Sequence, residues 1–193
     1  MRGVSYKDPT RRERPITKTL SLCFALMFAA AVPAAAAGGG GGNDGNSNAS
    51  PTTHKCKSGE VWSKNKKKCV KAQSGVLPDE ELYEQGRALA KEGHYDWALQ
   101  VLAAIGDQND PKVLNYTGYS HRKAGRLDIG ITYYRKALAI NPGFVLAREY
   151  LGEGYVAAGR VDLAMAELKE IARYCGTACE EYRDLSAAIT AAN

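Results

Sequence analysis

The spacing of hydrophobic and polar residues changes several times along the chain. From Leu77 onward, apolar residues recur three and four positions apart, which places them on one face of an α-helix. Residues 56–70 instead have two short apolar arms around a polar run, which predicts a β-hairpin. Residues 38–54 have no apolar periodicity and are rich in Gly and Asn, as flexible linkers are. The pattern therefore predicts an all-α domain that follows a linker and a small hairpin.

The first 37 residues have the three-part pattern of a signal peptide. Basic residues precede an apolar run from Leu20 to Val32, and small residues follow it up to Ala37. This run of 13 residues is too short to cross a bilayer as a helix, which argues against a membrane anchor, the main alternative. Cys23 stands at the start of the run, where a lipid attachment site is not expected. We therefore expect cleavage near Ala37, a periplasmic or secreted protein, and no transmembrane segment in the mature chain.

Four cysteines remain after the expected cleavage, in a compartment where disulfides persist. Cys56 and Cys69 stand at the two ends of the predicted hairpin, and a bridge between them would stabilise a unit too small for a core of its own. Cys175 and Cys179 would close a loop of only five residues, in which bridge geometry often fails, so a redox-active pair stays open as an alternative. A zinc site made of all four is disfavoured, because 106 residues separate the two pairs.

A pattern of glycines and aspartates recurs three times in the helical part of the chain. Each set has a Gly, a second Gly seven residues later and an Asp three residues further on. Successive sets are 32 and 34 residues apart. The sets are Gly86, Gly93 and Asp96; Gly118, Gly125 and Asp128; and Gly152, Gly159 and Asp162.

This recurrence resembles the tetratricopeptide repeat, a helix-turn-helix unit with a period near 34 residues. The resemblance implies an all-α array of three repeats over residues 77–174, in which the first Gly of each set lets the two helices cross closely and the second ends the first helix. The first repeat is two residues short, so its second helix is expected to end near Ala104. Residues 175–193 are predicted to form a cystine turn and a capping helix, because an open stack otherwise exposes an apolar face.

The resemblance also implies a groove lined by the first helix of each repeat, which binds a protein or peptide partner. Basic side chains there could pair with carboxylates of the partner, and tyrosines offer rigid contact area. Acidic residues stand where a clamp for a terminal carboxylate needs cations, which disfavours that specialised clamp. For each position the alternative is a solvated helix face. The candidate groove residues are Tyr83, Arg87, Lys91, Asn115, Tyr119, Arg122, Lys123, Glu149 and Glu153.

Charge is divided unevenly between the hairpin and the repeats. Residues 55–71 carry seven lysines against Glu60, a net charge of +6, whereas residues 77–193 carry 13 basic and 17 acidic side chains, a net charge of −4. The hairpin is therefore a second candidate surface, for a cell-wall polymer or lipopolysaccharide. Two alternatives stay open, a merely soluble turn and a hairpin that folds back into the groove. The candidate residues are Trp62, Lys64, Lys66, Lys67 and Lys68.

No set of residues typical of an enzyme stands out. His54, His94 and His121 are scattered, and neither a Ser, His and Asp set nor a phosphate-binding loop is present. We therefore expect no catalytic residue, metal, cofactor or nucleic-acid partner. The leading hypothesis is a non-enzymatic periplasmic adaptor that binds a polypeptide, and the alternative is an envelope-associated polyanion-binding protein.

Overall fold

The computed structural model of the protein describes residues 56–192. The predicted signal peptide (1–37), its cleavage site and the predicted linker (38–54) lie outside the described residues. Within the described range, two β-strands come first and seven α-helices follow. No helix of this part of the chain is long and apolar enough to cross a membrane.

The cystine hairpin forms as the sequence predicts. Strand β1 (Glu60–Ser63) pairs antiparallel with β2 (Lys68–Lys71), and Val61 stands opposite a valine of the second strand. Cys56 is bridged to Cys69, with the two Cα atoms 5.6 Å apart. By restricting the unfolded chain, a bridge across a loop of this length stabilises the folded state by about 3 kcal/mol.

Six helices then form three consecutive pairs, and a seventh helix follows them. Each helix packs most closely on its partner, and each pair contacts the next, so the helices stack in chain order. The predicted three-repeat helical array is confirmed. The pairs are α1 (Asp79–Lys91) with α2 (Tyr95–Leu102), α3 (Pro111–Lys123) with α4 (Leu127–Ile140), and α5 (Val145–Ala157) with α6 (Val161–Cys175); the last helix is α7 (Glu180–Ala191).

A glycine with left-handed backbone follows the first helix of every pair. Gly93, Gly125 and Gly159 have φ angles of 88°, 83° and 70°, a region that is strained for residues with a Cβ atom. The left-handed residue folds the chain back onto the helix end, and the N–H of His94 donates to the carbonyl of Leu89 at 2.9 Å. The sequence therefore places these three turns correctly.

The other recurring glycine of each set permits close helix packing, but the neighbour differs between repeats. A Cβ atom at Gly86 would collide with Leu102 of α2, and one at Gly118 would collide with α4, as predicted for helices of one unit. At Gly152, the nearest atoms all belong to Leu185 of α7. The prediction that Gly152 serves the crossing of α5 with α6 is therefore corrected: this glycine receives the capping helix.

The first repeat is shortened as the sequence suggests. Helix α2 ends at Leu102, two residues before the predicted Ala104, and an irregular turn leads to α3. This turn is tied back to the start of α1, because the N–H of Gly106 donates to both carboxylate oxygens of Asp79 at 3.1 Å.

Two main hydrophobic clusters stabilise the described part of the chain. One surrounds α1 and α2 and includes Val61 of the hairpin, whose side chain is 1% exposed. The other surrounds α5, α6 and α7 and includes Leu185 and Ile189. Because these α7 residues are buried, the helix covers the apolar face of the last pair, which confirms the predicted cap.

Candidate functional site

Five tyrosines from four helices form a continuous row of ring contacts, here called the tyrosine row. Successive ring centroids lie 5.9, 6.0, 5.1 and 6.2 Å apart, and each pair is edge-on or tilted, as aromatic pairs prefer. The row gives a rigid wall, because each ring is held by its neighbours. In order of contact, its members are Tyr83, Tyr116, Tyr119, Tyr150 and Tyr134.

Lys91 lies against the middle of this row. Its Nζ atom lies 4.9 Å from the ring centroid of Tyr119 and 5.1 Å from that of Tyr150. The ammonium group also donates a hydrogen bond of 2.6 Å to the hydroxyl oxygen of Tyr150. Burial lowers the pKa of Lys91 below its ordinary value. Lys91 thus links α1 to α5 across α3, and its ammonium group is partly engaged by contacts within the chain.

Arg122 is a basic residue of the site whose guanidinium group is already bound by other residues of the chain. Its guanidinium forms an ion pair with Glu153, and its Nε atom donates to the hydroxyl of Tyr134 at 3.2 Å. The Arg122 side chain is only 10% exposed. Removing it would leave the buried hydroxyl of Tyr134 without this donor and the half-buried carboxylate of Glu153 without its counter-charge, so Arg122 serves first to join α3, α4 and α5.

A cavity of about 390 Å³ opens between α1, α3, α5 and α7 and is here called the groove cavity. Tyr119, Tyr150 and Leu146 form part of its wall. The charged side chains divide into a basic side and an acidic side. The basic side consists of Lys91, Arg122 and Lys123, and the acidic side consists of Glu149, Glu153, Glu180, Glu181 and Asp184.

Glu149 lies deepest on the acidic side. The residue is 6% exposed, and its side chain has no hydrogen bond or ion pair with any other described residue. Burial raises the pKa of Glu149 to about 8, and the carboxylates of Glu153, Asp184 and Glu181 act in the same direction, while Lys91 opposes them. Near neutral pH this carboxyl group therefore retains its proton in a large fraction of molecules.

Six of the nine residues predicted from the sequence line the groove cavity together. They are Lys91, Tyr119, Arg122, Lys123, Glu149 and Glu153. Two more lie on α1 outside the lining: Tyr83 begins the tyrosine row, and Arg87 is paired with Glu84 at 2.7 Å on its own helix. These eight residues belong to α1, α3 and α5, as the resemblance implies.

Asn115 lies elsewhere than the sequence suggests. Its residue exposure is 0%, so its side chain presents no surface to a partner, and the prediction that it faces the groove is corrected. Both polar atoms of its side chain lack a hydrogen-bond partner in the structure. The physical reason is that α3 packs between α1 and α5. The two residues that precede Asn115, Val113 and Leu114, are buried as well.

Sequence reasoning missed five residues of the cavity and its wall. Three acidic ones, Glu180, Glu181 and Asp184, come from the capping helix, which lies outside the repeat pattern. Tyr150 and Leu146 were missed on α5. A signal for the tyrosines was present in the sequence, because the segments that align as repeats begin at 83, 116 and 150, each time with a tyrosine.

The basic hairpin is docked on the first repeat. The side-chain amide of Gln85 accepts from the N–H of Trp62 at 2.7 Å and donates to its carbonyl at 3.0 Å. The indole Nε1 of Trp97 donates to the carbonyl of Glu60 at 2.9 Å. Together with buried Val61, these contacts fasten β1 to α1 and α2. No hairpin residue lines the groove cavity, so the hairpin of a molecule does not fold back into its own groove.

The hairpin lysines remain on the surface. Lys64, Lys66, Lys67 and Lys68, here called the lysine turn, are all exposed and have no ion pair with the described residues. Trp62 is half-buried and lies on the strand rather than in the turn. The lysine turn is therefore a compact, solvated group of positive charges that is held on a rigid strand pair.

The second pair of cysteines is also bridged. Cys175 and Cys179 form a disulfide between the end of α6 and the start of α7, with Cα atoms 6.0 Å apart. The bridge orders the entry of the capping helix. Because all four of these cysteines are paired within their own segments, their sulfur atoms are not free to bind a metal.

Comparison with known proteins agrees with this architecture. A protein-family model described as "Tetratricopeptide repeat" matches residues 83–143 and again residues 117–178. The chain belongs to the tetratricopeptide repeat family. A chloroplastic tetratricopeptide repeat domain-containing protein of Arabidopsis thaliana, PYG7, is 30% identical over 105 residues. That match covers 51% of this chain but only 35% of PYG7, so the chain spans about a third of its relative.

Two solved structures share the fold of this tetratricopeptide repeat protein. The crystal structure of MamA has a TM-score of 0.51 at 18% identity, over 58% of this chain and 67% of MamA. The crystal structure of PcrH in complex with the chaperone binding region of PopB also has a TM-score of 0.51 at 18% identity, over 62% of this chain and 99% of PcrH. At these identities the similarity concerns the fold alone.

Proposed function

We propose that this tetratricopeptide repeat protein is a non-enzymatic adaptor that binds a segment of another polypeptide in the groove cavity. The observation that carries the proposal is the cavity itself, which combines a rigid aromatic wall with charged side chains of both signs. Polypeptide segments offer the matching groups, namely carboxylates, basic side chains and apolar surface. PcrH supports the proposal at the level of the fold, because its structure holds a region of a second protein, PopB.

Some charged residues of the cavity are engaged by other residues of the chain, whereas others are available to a partner. Arg122 and Glu153 neutralise each other, and Lys91 is hydrogen-bonded to Tyr150. Lys123 is exposed, and its Nζ atom lies 5.9 Å from the ring of Tyr119 without an ion pair in the described chain. A carboxylate of the partner would therefore pair with Lys123, while a basic side chain would pair with the acidic side.

The experiment is affinity capture with the purified protein as bait in an extract of the cells that produce it. Lys123→Glu should reduce the captured polypeptide at least about ten-fold, since it replaces attraction by repulsion at the basic side. Lys136→Glu is the matched control, because Lys136 is equally an exposed lysine and does not line the groove cavity. Equal capture by both variants would contradict the proposal.

We also propose that the protein is exported to the periplasm or secreted. The signal-peptide pattern of residues 1–37 supports this, and so do the two disulfides, which persist in oxidising compartments. Fractionation followed by N-terminal sequencing should find a chain that begins near Gly38 outside the cytosol. An uncleaved chain that remains in the cytosolic fraction would contradict export.

The lysine turn supports a second candidate function, the binding of an anionic envelope polymer. Four exposed lysines, whose side chains form no ion pair with the described residues, make a compact positive charge that attracts polyanions. Co-sedimentation with purified lipopolysaccharide or peptidoglycan should then be lost in the Lys66→Glu/Lys67→Glu variant and at high salt, but retained by Lys123→Glu. No co-sedimentation of the unaltered protein at low salt would exclude this candidate.

A further inference from the structure

The acidic side of the groove cavity holds a carboxyl group that forms no ion pair with a described residue, although the charge of Lys91 acts on it. Glu149 is 6% exposed, its side chain has no hydrogen bond or ion pair with another described residue, and it lines the cavity with Glu181 and Asp184. Burying an ionised carboxylate without a partner is unfavourable, and the raised pKa of Glu149 expresses the same cost. Near neutral pH the group avoids this cost largely by keeping its proton, and a cation that enters the cavity would favour the ionised form.

Two of the three cations of the cavity are already engaged by other groups. Lys91 donates to Tyr150 and lies over two tyrosine rings, and Arg122 is paired with Glu153. Counted over the whole lining, three basic side chains face five acidic ones, so the net charge is −2 when Glu149 is ionised and −1 when it holds its proton. Lys123 has no ion pair with a described residue, but the lining keeps an excess of acidic side chains, so a cation from outside the groove cavity is needed to balance its charge.

The same chain carries a surplus of positive charge elsewhere. The lysine turn contributes four of the seven lysines of residues 55–71, and the cystine and the docking contacts of the hairpin hold it in a defined position. In its own molecule the turn does not contact the groove cavity. Its charges are therefore available to another molecule.

We propose that the lysine turn of one molecule enters the groove cavity of a second molecule of the same chain, so that copies associate head to tail. Lysine suits this role because its flexible aliphatic stem can pass between the half-buried Glu181 and the exposed Asp184 and carry the ammonium group toward Glu149.

This geometry also determines the form of the assembly. The two surfaces in contact are different, so a molecule that has inserted its lysine turn still has an empty groove cavity for the next copy. Such heterologous contacts produce open chains unless the rotation closes a ring. The association also covers the cavity, so self-association and the binding of a foreign segment exclude each other.

The first test is analytical ultracentrifugation of the purified protein over a range of concentrations. At about 100 µM, where contacts with a Kd in the tens of micromolar are populated, the average mass should exceed that of a dimer at low salt. About 0.5 M salt should return it to the monomer mass, because exposed ion pairs are screened. A monomer at all concentrations in low salt would overturn the inference.

Charge exchange provides a second test with its own control. The Lys64→Glu/Lys66→Glu/Lys67→Glu variant has an acidic turn, in which three Glu stand against Lys68, and an acidic cavity. The Glu181→Lys/Asp184→Lys variant has a basic turn and a basic cavity, in which five basic side chains face three acidic ones. Each alone should be monomeric, whereas an equal mixture should associate, since both turn-to-cavity contacts are then complementary. Lys136→Glu/Lys169→Glu, which changes net charge at exposed sites outside the cavity, should associate as the unaltered protein does.

Circular dichroism of each variant checks that its helices are intact, since all the exchanged residues except the half-buried Glu181 are exposed. Folded variants that fail to associate when mixed would overturn the inference. The inference does not rest on the proposed adaptor function, because it needs no foreign partner. A monomeric protein that still captures a polypeptide through Lys123 would reject the inference alone, and a self-associating protein that captures nothing would reject the adaptor function alone.

Discussion

Leu185 of the capping helix lies directly on Gly152 of the third repeat, so that a Cβ atom at position 152 would collide with its side chain. Leu185 is fully buried there, in the cluster that also contains Leu151 and Ile171. The glycine thus lets α7 approach α5 closely. Because α5 and α7 together form the acidic side of the groove cavity, this contact also positions the charges of the site.

Replacing Gly152 by valine should displace the capping helix and lower the free energy of unfolding by about 1–3 kcal/mol, as overpacking does in buried positions. The measurement is urea denaturation followed by circular dichroism. Ala157→Val is the control, because it places the same side chain at an exposed position of α5. Adding Leu185→Ala should recover part of the loss, and strictly additive effects of the two substitutions would contradict the contact.

The hairpin should detach from the first repeat when its disulfide is removed. Trp62 and Trp97 are the two tryptophans of the chain, and both take part in the docking contacts. Cys56→Ala/Cys69→Ala should therefore shift the tryptophan emission to longer wavelength and destabilise the protein by about 2–4 kcal/mol.

The second cystine provides the control for that change. Cys175→Ala/Cys179→Ala should leave the emission maximum unchanged, because this bridge lies between α6 and α7 and neither tryptophan is near it in the stack. An unchanged spectrum in the Cys56→Ala/Cys69→Ala variant would show that docking of the hairpin does not need its bridge.

Glu149 should make the protein less stable as pH rises. Its pKa is about 8 in the folded chain, above the ordinary value of 4.5, so the folded state holds the proton more tightly than the unfolded state does. The contribution of this bound proton to the free energy of unfolding is then fully present below about pH 4.5 and is lost as the pH rises through 8. The titratable groups that face Glu149 are Glu153 on its own helix, Glu181 and Asp184 on α7, and Lys91 on α1.

The variant that checks this is Glu149→Gln, which has the same shape but does not ionise. We expect it to exceed the unaltered protein in free energy of unfolding by roughly 1–3 kcal/mol near pH 9 and to lose this advantage near pH 5. Urea denaturation at low protein concentration measures the free energy of unfolding of the two proteins at each pH. Parallel pH profiles of the two proteins would show that Glu149 keeps an ordinary pKa.

Asn115 should be a source of instability. Its side-chain amide is fully buried and has no hydrogen-bond partner, which costs about 1–3 kcal/mol. Asn115→Val, at similar helix propensity, should therefore raise the free energy of unfolding by about 1–2 kcal/mol. Ser120→Ala is the control on the same helix, because the Ser120 hydroxyl already donates to the carbonyl of Tyr116 at 2.8 Å. A loss of stability in Asn115→Val would indicate that the amide has a partner.

Local signals in the sequence predict the array well, because each turn depends on a residue type with one physical role. Gly93, Gly125 and Gly159 each follow the first helix of their repeat and end it with a left-handed backbone. The pairing of Cys56 with Cys69 is equally local, since both lie in one hairpin. Such features need no knowledge of the rest of the chain.

Features that join distant segments could not be predicted in the same way. The neighbour of Gly152 comes from α7, which the repeat pattern does not contain, and so do the carboxylates of Glu181 and Asp184 in the groove cavity. Asn115 was misplaced because a repeat position indicates the face of a helix but not its depth beneath neighbouring helices. The docking of the hairpin depends on Gln85, a single polar residue with no distinctive spacing.

The central claim is that the groove cavity, rather than the outer surface, holds a polypeptide. Photo-crosslinking in the cells that produce the protein tests it most directly, with a benzophenone amino acid at position 119 in the cavity or at position 165, where Met165 is 58% exposed and does not line it. The account predicts discrete adducts with a polypeptide from position 119 and few from position 165. Equal labelling from both positions, or no polypeptide adduct from position 119, would contradict it.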